Sequence, residues 1–144
     1  MRMPVTVAMA NAGIVELLKP MLMDHVQTVQ NFAIMAMARM ASSSPAIAET
    51  IAKGDTLSHL NMMMQQYPVC KTSNSIWKSK QKQKPFKLAS GYLFRSIAKQ
   101  TPALARSVID CGALETFVAN LEYFDADIKE SSIWAINYSM YLWL

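Results

Sequence analysis

Four carboxylates gathered in one short stretch, Glu122, Asp125, Asp127 and Glu130, are the residues whose type and spacing could share general acid–base work. They flank the start of an apolar helical pattern. Negative charge there favours the helix dipole and a carboxylate can cap the first turn, so capping is the expected role. His25 and His59 stand alone, and neither has a metal-binding spacing around it. Cys70 and Cys111 are too few for a secreted disulfide framework and lack metal-ligand spacing; they read as free thiols that pack as small apolar side chains. There is no glycine-rich phosphate loop. The expectation is a non-enzymatic protein with no catalytic residue, no metal site and no cofactor.

Charge carries a stronger signal. From Thr56 to Ile109 there is no Asp or Glu, while nine Lys or Arg residues fall there; all ten acids lie outside that stretch. Lys78, Lys80, Lys82 and Lys84 alternate with Ser and Gln between Pro68 and Pro85, and Lys87 extends the basic patch. Such segregation points to an acidic partner surface more than to fold. Aromatic interleaving is limited to Trp77 and Phe86 and no nucleic-acid motif accompanies the lysines, which argues against nucleic acid.

The elements that hold these residues follow from composition and periodicity. The chain has 144 residues, 52% hydrophobic and 17% charged, which suits one buried core and excludes a disordered tail. Four glycines and six prolines are few for an all-β protein, and twelve methionines suit helices. The segment 44–51, Ser-Pro-Ala-Ile-Ala-Glu-Thr-Ile, recurs at 101–108 as Thr-Pro-Ala-Leu-Ala-Arg-Ser-Val, an offset of 57. The segment 11–17 recurs at 110–116, an offset of 99, so the first period is 42. Repeats therefore run over approximately 1–43, 44–100 and 101–144 of a single domain, with a basic insertion at approximately 67–85 in the middle one.

Each repeat reads as three helices. Ser44 and Thr101 are N-cap residues with Pro45 and Pro102 at the first helical position, and Gly54 and Gly112 mark the exits. A second helix carries Val15, Leu17, Leu18, Met21 and Leu22, echoed by Leu114, Phe117, Val118 and Leu121. A longer third helix carries Val26, Val29, Ala33, Ala36, Met37 and Met40 as a broad apolar stripe. Met62, Met63 and Met64 cannot all face inward, so one is expected at the surface.

These residues resemble the armadillo-repeat family. Gly-Ile-Val-Glu-Leu-Leu at 13–18 and Gly-Ala-Leu-Glu-Thr-Phe at 112–117 look like its second helix. The stretches 33–41 and 132–138 look like its third. The run 108–125, Val-Ile-Asp-Cys-Gly-Ala-Leu-Glu-Thr-Phe-Val-Ala-Asn-Leu-Glu-Tyr-Phe-Asp, resembles the members that build the central microtubule pair of motile cilia and flagella, as do 11–57 and 86–109. The resemblance implies an all-α, right-handed α-solenoid of about three armadillo-like repeats, in a short or divergent form. It implies a protein-interaction scaffold of the axonemal central apparatus that supports ciliary or flagellar motility. The partners implied are other axonemal or armadillo proteins and the acidic tubulin surface of microtubules.

In the family the third helices line a concave groove. The corresponding columns here hold Met35, Tyr92 and Trp134, and one turn later Arg39, Ser96 and Tyr138. The Trp–Asn peptide clamp of nuclear-import members is absent, leaving an aromatic and basic groove suited to another protein surface. A general cytosolic adaptor that binds a peptide or protein there is the competing reading. The last helix presents Trp134, Tyr138, Tyr141, Leu142 and Trp143, so self-association or docking onto another armadillo surface is expected through it. The apolar stretch Val5–Ala10 is short for a signal peptide, and Arg39 and Lys129 interrupt the best apolar runs. The expected location is the cytoplasm and cytoskeleton, at the axoneme of a cilium or flagellum, with no membrane partner.

Overall fold

The computed structural model describes residues 8, 13–66 and 83–141, and what it describes is all-α. Among the described residues there are eight helices: α1 Ile14–Met21, α2 Gln27–Ser43, α3 Pro45–Ala52, α4 Thr56–Gln66, α5 Lys84–Ala98, α6 Pro102–Asp110, α7 Ala113–Asn120 and α8 Ala126–Tyr141. No strand occurs among the described residues, and no helix among them is long and apolar enough to cross a membrane.

Local chemistry sets the boundaries. Thr101 caps α6, its Oγ1 accepting from the Leu104 N–H at 3.2 Å, with Pro102 as the first helical residue. Ser44 holds the corresponding place before α3 in an extended conformation, but its side chain makes no cap bond, contrary to the sequence expectation. Gly13 and Gly112 occupy the same register and have φ of 82° and 85°, a left-handed turn that only glycine adopts without strain. Each turns the chain directly into a second helix, α1 or α7.

The core follows from how these helices meet. α2 packs on α5 and α5 on α8, α3 packs on α6, and α4 packs on α7. The members of each of these pairs hold the same place in successive sequence repeats. One contiguous core runs from Val15 and Leu22 through Ile34, Met37, Leu60, Phe86, Leu93, Phe94 and Ile97 to Phe117 and Ala135. Among the three methionines, Met62 is exposed and Met64 fully buried. The apolar stripes are less uniformly buried than the periodicity predicts: Leu17, Met21, Val26, Val29, Val118 and Leu121 are exposed.

Buried polar groups tie neighbouring helices together. Asn61 on α4 donates to the Cys111 carbonyl at 3.1 Å and accepts from the Thr116 hydroxyl on α7 at 2.6 Å. Gln100 donates to the Ala41 and Ser42 carbonyls at 2.8 and 3.1 Å, satisfying two backbone acceptors at the end of α2. One contact recurs with the sequence period. Gln30 Nε2 on α2 approaches Met63 Sδ on α4 at 3.9 Å, and Lys87 Nζ on α5 approaches Asn120 Oδ1 on α7 at 3.2 Å. Both members of the second pair lie 57 residues after those of the first, so a third helix touches the next second helix at the same place twice.

Candidate functional site: an aromatic and arginine ladder on α5 and α8

Helical spacing places Tyr92 and Arg95 one turn apart on α5, and Trp134 and Tyr138 one turn apart on α8. Packing of α5 on α8 brings the four together. The Arg95 guanidinium lies 4.8 Å from the Tyr92 ring centroid and 5.9 Å from that of Trp134. Trp134 stacks on Tyr138 at 5.7 Å with the planes 23° apart. A guanidinium held between aromatic faces is partly desolvated and presents a rigid, flat, cationic surface. Such a surface suits contact with another protein, where aromatic side chains and arginine dominate binding.

The groove residues expected from sequence separate into two groups. Tyr92, Trp134 and Tyr138 meet in the ladder. Met35 and Arg39 line a cleft of about 490 Å³ with Ile14, Leu18, Phe32, Ala36 and Met40, beside α1 and α2. Ser96 does not line an open groove: it is 1% exposed, within the packing of α5. Arg95 joins the ladder without being among the groove residues that the repeat columns predict. Its signal was available in its place one turn after Tyr92, but the register column it occupies, with Ala38 and Asn137, carries no common chemistry.

The basic patch changes more. Lys78, Lys80 and Lys82 lie outside the described residues. Lys84 and Lys87 do not offer charge to a partner, because both are used internally. Lys87 is 3% exposed, donates to Asn120 Oδ1 and sits 4.8 Å from the Tyr123 ring centroid. Its ammonium is thus held by a carbonyl oxygen and an aromatic face. Lys84 pairs with Asp125 at 2.9 Å and Asp127 at 2.8 Å, joining the start of α5 to the start of α8.

Two of the four clustered carboxylates are thereby accounted for. Asp125 Oδ1 also accepts from the Asp127 N–H at 2.9 Å, immediately before α8, so it caps the helix while holding Lys84. Hydrogen bonds to Asp127 and then Asp125 raise the Lys84 ammonium above its ordinary value. Partial burial pulls Asp125 upward, but the Lys84 ammonium and the Asp127 N–H outweigh it and hold the carboxyl below its ordinary value. A lowered carboxyl contributes stability that is present above the unfolded value and lost as pH falls through the folded one; a raised ammonium contributes stability lost only as pH rises past it. Lys84→Met should therefore destabilise by about 1 kcal/mol at neutral pH, discounted for partial exposure. The difference from wild type should shrink as pH falls below the ordinary carboxylate range and Asp125 takes up its proton. Thermal melts of both proteins from pH 2.5 to 8 check this, and a difference that persists at the acid end would contradict it.

Cys111 is a free thiol whose Sγ donates to the Val108 carbonyl at 3.0 Å. Burial pushes its pKa up, which makes it a poor nucleophile. His25 and His59 are exposed and apart from the ladder.

The described residues form an all-helical arrangement with a half-buried aromatic and cationic ladder, of which Trp134 is the most exposed member. Comparison with known proteins found similarity to sperm-associated antigen 6 of Mus musculus, 44% identical over 50 residues. Those residues are 35% of this chain and 10% of that protein, so the chain matches a small part of its relative. No family model matches the chain.

Proposed function

We propose that the chain is a non-enzymatic scaffold of the axonemal central apparatus, built as a right-handed α-solenoid of about three armadillo-like repeats and supporting ciliary or flagellar motility. The observation that carries the repeat architecture is the contact that recurs at the sequence period, Gln30 to Met63 and Lys87 to Asn120. It is what stacked equivalent units produce, each touching only its neighbours. The ciliary assignment draws on the resemblance of 108–125 and on the short identity with sperm-associated antigen 6.

The docking element in this reading is the ladder of Tyr92, Arg95, Trp134 and Tyr138, which takes an axonemal or armadillo protein surface. Lys84 and Lys87 are engaged within the fold, so of the basic patch Lys78, Lys80 and Lys82 are left for an electrostatic contact with acidic tubulin. A tagged chain expressed in motile ciliated cells tests the reading: enrichment along the axoneme is expected. Uniform cytoplasmic signal would favour a general adaptor that uses the same ladder.

A further inference from the structure

The docking role of the ladder leaves the chemistry of its partner open, and Arg95 supplies it. α5 packs on α2 at one side and on α8 at the other. Between Phe86 and Ala98 the residues of α5 that reach the surface are Leu88, Tyr92 and Arg95, a stripe at helical spacing. This face is therefore open in the middle of the row, on a helix covered from both sides.

Arg95 has its two flat faces toward aromatic rings, Tyr92 at 4.8 Å and Trp134 at 5.9 Å from the ring centroids. What remains is the planar edge of the guanidinium with its N–H donors. Among the described residues the ion pairs are Lys19–Glu16, Lys84–Asp125, Lys84–Asp127 and Arg106–Asp110, so Arg95 takes part in none. Nor do Arg39, exposed in the second half of α2, and Lys99, exposed just past α5. Neither α2 nor α5 contains an acid. The acids of α8, Asp127 and Glu130, come before Trp134 by two turns and one, and Asp127 is held by Lys84. Positive charge in the second half of the row is thus uncompensated.

We infer that the ladder takes an extended acidic peptide segment, one carboxylate seated on the edge of Arg95 and an adjacent apolar or aromatic side chain on Trp134. The occupant is argued from charge complementarity and shape. A guanidinium fork matches the two oxygens of a planar carboxylate, and a lysine in its place would not. Aromatic walls keep water from the guanidinium faces, so the attraction is screened less than at an open arginine. Trp134 is 41% exposed and offers an apolar platform next to the charge. The segregation of charge in the sequence points to an acidic partner, and Arg95 is the cation of that stretch that joins aromatic support to unused donors. The inference rests on the ladder being the docking element and narrows its partner to one chemical class.

Fluorescence anisotropy tests it, with a labelled Gly-Ser-Glu-Phe-Glu-Gly peptide titrated with the full chain. The controls are the same peptide with both Glu replaced by Gln and a thymidine strand of about ten nucleotides. Wild type should saturate with the acidic peptide below about 1 mM and bind it at least about tenfold tighter than the Gln peptide. Arg95→Gln should weaken the acidic peptide by about ten- to hundredfold and leave the Gln peptide unchanged. Arg95→Lys should recover little of that loss, and added salt should weaken the acidic peptide alone. Circular dichroism reports independently that each variant is folded. Failure of the acidic peptide to saturate, or full recovery by Arg95→Lys, would overturn the inference. Equal affinity for both peptides, lost together in Trp134→Ser, would overturn the acidic preference and leave the ladder standing as the docking element. A thymidine strand that binds more tightly than the acidic peptide and depends on Arg95 would overturn it in favour of nucleic acid.

Discussion

Phe94→Ala should lower the unfolding free energy by about 3–5 kcal/mol, enough to unfold most of a marginal population at body temperature. Phe94 on α5 and Phe117 on α7 are both essentially fully buried, with ring centroids 5.5 Å apart and planes at 78°, the edge-to-face arrangement aromatic pairs prefer. Truncation removes a ring from the place where the second helix of one repeat meets the third helix of another, and rigid helices on both sides limit collapse into the void. Phe94→Leu keeps most of the volume and should cost about half as much. Urea unfolding followed by circular dichroism measures both. A loss below about 1 kcal/mol for the alanine variant would mean that α5 and α7 do not share a packed core.

The second large effect concerns Gly91. A Cβ built there runs into the Ser131 hydroxyl, so α8 approaches α5 closely because this position has no side chain. Gly91→Val adds a branched group to that contact and should cost about 2–3 kcal/mol by prying the two helices apart. It should also disperse the ladder, since Arg95 reaches Trp134 only across this packing. Gly91→Ala is the finer probe. Alanine is worth up to about 1 kcal/mol over glycine within a helix, so in a Ser131→Ala background it should stabilise, whereas beside the native hydroxyl it should not. Equal effects in the two backgrounds would show that Ser131 does not set the approach of the helices.

Much of the helical layout was legible because it depends on local chemistry repeated at a fixed offset. Pro45 and Pro102, and Gly13 and Gly112, fall at observed boundaries or beside them. Exposure was not legible in the same way. Val29, Phe86 and Ile128 share one column and similar chemistry, yet Val29 is open and the others are buried, because burial depends on whether another helix lies over the position. Lys87 shows the same limit with charge. A lysine in a basic run reads as solvated, but its column already held Gln30, which is also buried, and its long stem lets the ammonium reach Asn120. The role of Arg95 is not legible in the sequence because its two aromatic partners lie on different helices, and only packing brings Tyr92 and Trp134 to either side of it.

Deleting the ladder's charge and its indole, while sparing the core, isolates the surface on which the proposed scaffold role depends. The most direct measurement is therefore the axonemal enrichment of three tagged chains in motile ciliated cells: wild type, Arg95→Gln/Trp134→Ser, and Lys78→Ser/Lys80→Ser/Lys82→Ser. Melting curves of the purified proteins confirm that each is folded. A scaffold that docks through the ladder predicts that wild type and the lysine variant concentrate along the axoneme and that the ladder variant loses at least about nine-tenths of that signal, as removal of a central aromatic and arginine pair does elsewhere. A folded ladder variant that still concentrates on the axoneme as wild type does, or a wild-type chain spread evenly through the cytoplasm, would contradict it.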